Sequence, residues 1–247
     1  MKVNVILLIV ALVLPTREYA QTQLNKIIPV QSGQKINMHF DYPEIVRVST
    51  WDRNEISVQG TVSINNGEND DSFLFESSVN GNTVDIRSTI KDLKHLPQRI
   101  TIVRDGQKMM FKDKAELKKY QEENGKGYNT MSWGPDIDIK LEIKVPRNVD
   151  TRVESVYGMV EIKDFSGPLV VEATYGGVDA AVIERSTGEI VAETNYGEIY
   201  TNLDAKFGGT EFKNRDFHTY VSAKPGSGPR YSFESKYGNV YIRKASN

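Results

Sequence analysis

The chain has 247 residues, with 31 Lys and Arg against 33 Asp and Glu, 38% hydrophobic residues and no Cys, enough for one large β domain with a real core or two small ones. The nearly balanced charge offers no concentrated basic face and so argues against a nucleic-acid partner, whose phosphates need one. The absence of Cys excludes disulfides, thiol nucleophiles, thiolate metal sites and a lipid-modified N-terminal cysteine together.

In chain order, Lys2 precedes the apolar run VILLIVALVL (residues 5–14), followed by Pro15 and Ala20. A basic start, a short apolar run and a small residue before Gln21 read as a secretory signal peptide over residues 1–20; the run is too short for a bilayer, which takes about 20 residues. The expectation is export to the periplasm, cell surface or medium, with no membrane span left after cleavage. Residues 21–92 alternate apolar and polar positions in KIIPV, KINMHF, IVRVST, EISVQGTVSI, SFLFESSV and TVDIRSTI, separated by turns such as QSGQ, DYPE and NNGENDD. Period two with many Val, Ile, Phe and Thr predicts half-buried β-strands.

Residues 93–135 break that rhythm and read as an insertion. Asp113 followed by Glu116, the helix formers of DKAELKKYQEEN and Gly125 predict one α-helix near residues 113–124. Strands resume in DIDIKLEIKVP, where Ile137, Ile139, Leu141, Ile143 and Val145 alternate strictly. Residues 136–247 are read as continuing the same domain as residues 21–92.

This last region repeats Glu-x-x-Tyr-Gly in VESVYGMVEI, VEATYGGVDA, AETNYGEIYT and FESKYGNVYI. The pairs Tyr157 and Gly158, Tyr175 and Gly176, Tyr196 and Gly197, and Tyr237 and Gly238 are 18, 21 and 41 residues apart. The long gap suggests a worn copy at Phe217, with Asn214 in the glutamate slot. Gly167, Gly188, Gly209 and Gly228 recur at spacings of 21, 21 and 19 and read as turn glycines. One corner and one turn in about 20 residues predict an all-β chain: a parallel β-solenoid, preceded by short strands and carrying one inserted helix. The apolar face changes parity at each Tyr-Gly, which requires a bend that glycine tolerates, so these residues are read as structural corners.

Stacked coils would place the tyrosines about 4.8 Å apart as an aromatic ladder. Glu154, Glu172, Glu193 and Glu234 would then form a row of like charges, which costs stability unless screened; Arg152, Lys163, Arg185 and Lys236 are candidate screening cations. A ladder of oxygen ligands for divalent cations is the sharper alternative.

His39, His95 and His218 are widely separated, and no GxSxG, phosphate loop or GxGxxG occurs. No catalytic residue, metal site or cofactor is therefore expected. Trp51, Trp133, Tyr200 and Tyr241 could form sugar-stacking surfaces, and abundant carboxylates leave a carbohydrate-binding or carbohydrate-processing role as the alternative.

SGQKINMHFDYPEIVRVSTWDRNEISVQGTV and DIDIKLEIKVPRNVDTRVESVYGMVEIKDFSGPLVVEATYGGVDA contain a glycine turn, a Trp-centred turn, a strand ending in Val-Pro and short Gly-containing coils. In these features the chain resembles the "putative adhesin" family of bacterial exported proteins, over most of its length except about residues 93–135. The resemblance implies a β-solenoid or roll in the cell envelope. The expected role is a secreted or envelope-associated, non-enzymatic interaction module with a surface or envelope partner, protein or glycan. An oligomer through the terminal coil is a further expectation, because an uncapped last rung at residues 241–243 leaves an edge strand.

Overall fold

The structure, a computed structural model, describes residues 21–208 and 217–245. The signal-peptide reading over residues 1–20, Gly209 and Asn214 lie outside the described residues.

The first half of the chain supplies β1 (Thr22–Pro29), β2 (Lys35–Phe40), β3 (Ile45–Trp51), β4 (Glu55–Ile64), β5 (Phe73–Asn80) and β6 (Thr83–Ile90). The insertion holds β7 (Arg99–Arg104), β8 (Gln107–Phe111), α1 (Lys114–Asn124) and β9 (Thr130–Gly134). Then follow β10 (Ile137–Pro146), β11 (Thr151–Ser155), β12 (Met159–Ile162), β13 (Leu169–Ala173) and β14 (Val178–Val182). The last are β15 (Glu189–Thr194), β16 (Ile199–Thr201), β17 (Thr219–Ala223), β18 (Arg230–Ser235) and β19 (Val240–Lys244).

The chain is mostly β. Period-two patterning does what it should: in β10 Ile139, Leu141, Ile143 and Val145 are buried while the residues between them are more open. Two eight-stranded sheets result, ordered β1-β4-β10-β3-β12-β14-β19-β16 and β17-β15-β18-β13-β11-β2-β6-β5. One apolar cluster joins them, with Met38, Phe40, Val153, Val171 and Phe233 from the second sheet meeting Val46, Ile143, Val160, Val178 and Ile242 from the first. Each fully buried Val, Ile or Phe there contributes about 1.5–3 kcal/mol of apolar burial.

Five arches form the heart of this arrangement. β2 leads to β3, β11 to β12, β13 to β14, β15 to β16 and β18 to β19, each crossing from the second sheet to the first at a corner. Neighbouring arches pair in parallel. β1, β4, β5 and β17, in contrast, pair antiparallel.

The expected solenoid, one coil after another in chain order, does not describe this topology. The sheets are mixed, and the arch carrying Tyr237 lies between those carrying Tyr175 and Tyr196. The 41-residue gap is therefore not a missing coil. It holds an excursion to the edge strand β17, which runs antiparallel to β15, and Phe217 precedes that strand rather than a fifth parallel coil. Nor does the last rung present an open edge: β19 is paired on both sides, with β14 and β16.

The insertion also differs from expectation. Besides its helix it contains a three-stranded antiparallel sheet, β8-β7-β9, with a core of Ile100, Ile102, Phe111 and Leu117. α1 begins where Asp113 accepts hydrogen bonds from the backbone N–H groups of Ala115 (2.8 Å) and Glu116 (2.9 Å). Buried Asn65 roots the insertion at both ends, donating to the Pro97 carbonyl (3.0 Å) and accepting from the Asp136 N–H (2.9 Å). Among the described residues no helix is long and apolar enough to cross a membrane.

Candidate interaction surface

The corners are held by buried hydroxyls. Ser235 accepts a hydrogen bond from the Gly238 N–H (2.9 Å) and donates to the Gly176 carbonyl (2.7 Å). Thr194 does the same between the Gly197 N–H and the Gly238 carbonyl, both at 3.0 Å. The glycines themselves are demanded by space. A β-carbon on Gly158, Gly176, Gly238 or Gly197 would lie 1.9–2.1 Å from a carbonyl oxygen of the adjoining corner.

Because the corners stack this closely, their aromatic rings do too. Tyr42, Tyr157, Tyr175, Tyr237, Tyr196 and Phe217 form one file, with ring centroids 5.5, 5.2, 5.1, 5.1 and 5.8 Å apart and neighbouring planes within 24° of parallel. Five strand spacings of about 4.8 Å make a ridge about 24 Å long. Tyr42 is partly buried against the core, and the other five rings are open to solvent, Tyr237 at 43%, Tyr157, Tyr175 and Tyr196 at 54–60% and Phe217 at 73%. Since each inner ring is covered on both faces by its neighbours, the ridge presents edges and hydroxyls.

Three residues before each tyrosine comes the ionisable row. Parallel register sets His39 opposite Glu154, Glu154 opposite Glu172, Glu172 opposite Glu234 and Glu234 opposite Glu193. A histidine caps each end: His39 Nδ1 lies 2.8 Å from Glu154, with Nε2 3.0 Å from Asp41, and His218 Nε2 lies 2.6 Å from Glu193. Arg152 bridges Glu154, at 2.7 Å, and Glu172. Burial, the largest single influence on Glu154, raises its pKa, but the hydrogen bonds and charges of Arg152 and His39 together outweigh it and leave the carboxyl below its ordinary value. Glu234 is held above the ordinary value, first by burial and then by the charges of Glu193 and Glu172.

The sign of that shift makes a prediction. A carboxyl whose folded pKa is raised weakens the fold once ionised, so the penalty is full above the raised pKa and fades as pH falls toward the unfolded value. Glu234→Gln is expected to raise the melting temperature at pH 7, with the gain shrinking toward pH 4.5, the ordinary carboxyl value. Thermal unfolding across pH checks this; an unchanged or lower melting temperature at pH 7 would contradict it.

Among the described residues no group of three or more His, Asp or Glu is placed to hold a metal ion. The Arg152 guanidinium stands between the two carboxylates where a cation ladder would begin. Of the other candidate cations, Lys236 lies over the Tyr237 ring, 5.4 Å from its centroid.

The suggested sugar-stacking aromatics are not gathered together. Trp51 donates to the Glu55 carbonyl (2.7 Å) beneath Arg53, while Tyr200 and Tyr241 stack on one another at 5.1 Å. Trp133 stands on the insertion, its ring under the Lys114 ammonium at 5.5 Å. Two members of the surface went unrecognised in the sequence, Tyr42 and His39. HFDYPE carries an aromatic three residues after the row position, as the repeats do, but Pro43 replaces the glycine and Glu44 adds a residue before the next strand.

No family model matches this chain, and no curated protein matches it. It is similar to the crystal structure of a "putative cell adhesion protein" from Clostridium sporogenes, at 10% identity and a TM-score of 0.45 over 91% of this chain and 100% of that one. It is also similar to a "putative adhesin" from Bacteroides fragilis, at 12% identity and a TM-score of 0.25 over 92% of this chain and 98% of that one. Neither likeness is a basis for assigning this chain a role.

Proposed function

We propose that this chain is an exported, non-enzymatic interaction module, adhesin-like in role, which docks a protein partner at the envelope or cell surface along its aromatic ridge. One observation carries the reading: six rings stack in one continuous file, five of them exposed, beside a row of carboxylates. An extended apolar ridge on a protein surface marks an interaction site. Ring edges and phenol hydroxyls suit a protein surface, which offers apolar and hydrogen-bonding groups side by side, whereas a sugar stacks on open ring faces. The carboxylate row favours a partner with a basic complement, and its pull weakens with salt. Export is supported by the signal-like residues 1–20.

Binding of the purified chain to envelope fractions and to a glycan array tests this. Replacing Tyr175 and Tyr237 together with lysine is expected to cut envelope binding by more than about tenfold, the size of one lost anchor of 1.4 kcal/mol or more, while the circular dichroism spectrum is unchanged. Binding that survives the double change, or that is confined to glycans, would contradict the ridge as the docking surface.

A further inference from the structure

The arch made by β18 and β19 comes later in the chain than both of its neighbours, yet it sits between them. β18 pairs in parallel with β13 over five residues, Leu169 with Tyr231 to Ala173 with Ser235, and with β15 over six. β19 pairs in the same way with β14 and β16. Residues 189–201 thus meet the earlier arches chiefly through this later one, and without it a slot one arch wide stands between β13/β14 and β15/β16.

The connections show how the slot is filled. The chain passes from β14 to β15 through residues 183–188, leaving room for the arch, and returns from β17 to β18 through residues 224–229, Lys-Pro-Gly-Ser-Gly-Pro. These two connections meet backbone on backbone. A β-carbon on Gly226 would lie 2.5 Å from the Glu184 carbonyl oxygen, one on Gly228 2.2 Å from that of Ser186, and one on Gly188 2.3 Å from that of Gly228. Gly188 and Gly228, both read from the sequence as turn glycines, are partners at this contact.

Beyond the contact of the two connections, what the slot recognises is carried by residues 230–244: two ladders of backbone hydrogen bonds, and the buried side chains Tyr231, Phe233, Ser235, Val240 and Ile242. None of it depends on the arch being tethered to the same copy. We propose that the slot accepts the same arch from a second copy of this chain, giving a dimer in which each copy's residues 230–244 complete the other's stack. The contacts are those of the single chain, so the exchange costs little beyond association entropy, and a short, stiff hinge with two prolines favours it. The tethered arch prevails at low concentration because its own slot sees it at an effective concentration on the order of 1 mM. This inference is independent of what the ridge binds.

The absence of Cys allows a direct test. One tagged population carries Tyr175→Cys and a differently tagged one Tyr237→Cys; these positions sit on adjoining parallel strands about 4.8 Å apart, within disulfide reach. The two are mixed, opened in denaturant, refolded together and oxidised. The expected product is a disulfide-linked species of twice the chain mass bearing both tags, at least about tenfold more abundant than like-tagged links and than in the same mixture oxidised without opening, its yield rising about tenfold or more from ~10 μM to ~1 mM; like-tagged links in equal yield would mean random joining of exposed thiols and would overturn the proposal. A Tyr175→Cys/Tyr237→Cys chain that links internally, with no mixed species at any concentration, would overturn the proposal. Should the double variant not link, the unaltered chain decides by light scattering: a dimer in the opened and refolded sample but not in an unopened one supports exchange, and monomer in both overturns it.

Discussion

Gly176→Val is expected to destabilise the fold by at least about 3 kcal/mol, at or beyond the upper end of ordinary overpacking. The corner leaves no alternative, because even a single β-carbon there lies 2.0 Å from the Gly158 carbonyl oxygen, while the Gly176 carbonyl oxygen is itself packed against Gly238, 2.1 Å from where a β-carbon on that residue would stand. Relief would require moving backbone in three arches whose strands are locked in register. Against a total stability of roughly 5–15 kcal/mol, such a loss approaches unfolding. Two controls isolate the cause. Gly127→Ala, where no atom lies within 4 Å, should change stability by no more than about 0.5 kcal/mol. Tyr175→Phe keeps the ring stacked between Tyr157 and Tyr237 and should be equally mild. Urea unfolding of the three variants checks this, and a stable Gly176→Val chain would remove the stacked corners from the account.

Phe233→Ala is expected to cost about 3–5 kcal/mol, the range for truncating a buried aromatic. Phe233 is 1% exposed, and its strand lies between Val171 and Ala192, both buried and the latter small. Ala192 leaves space for the ring, so its neighbours cannot close the cavity by a side-chain adjustment alone. Denaturant unfolding gives the number. A cost under about 1 kcal/mol would mean that residues 230–244 do not fill the stack.

Much of this was written plainly in the residues. The alternation of β10, the capped helix after Asp113 and the recurrence of Tyr-Gly each express a local rule, and local rules survive without knowledge of neighbours. Spatial order is a different kind of information. Glu172, Glu234 and Glu193 occupy the same register position on their strands, as do Ala173, Ser235 and Thr194, so every arch is an acceptable neighbour for every other and periodicity cannot say which adjoins which. The near-periodic recurrence of Gly188 and Gly228 compounded the difficulty, since a close backbone contact selects the same residue as a coil turn. Tyr42 was hidden by a proline and one extra residue. Strands β7 to β9 are only five or six residues long, and only Ile100, Ile102 and Phe111 mark the small core they build with the helix. The surface was legible in its residue types but not in its continuity, because a ridge running Tyr175, Tyr237, Tyr196 depends on the order of the arches.

That order is the central claim, and paired cysteines in an otherwise cysteine-free chain test it most directly. The account predicts that Tyr175→Cys/Tyr237→Cys joins readily within one folded chain, while Tyr175→Cys/Tyr196→Cys, two strand spacings or about 9.6 Å apart, stays reduced because that separation exceeds disulfide reach. Rapid closure of the second pair with failure of the first would mean that the arches stack in chain order, and would contradict it.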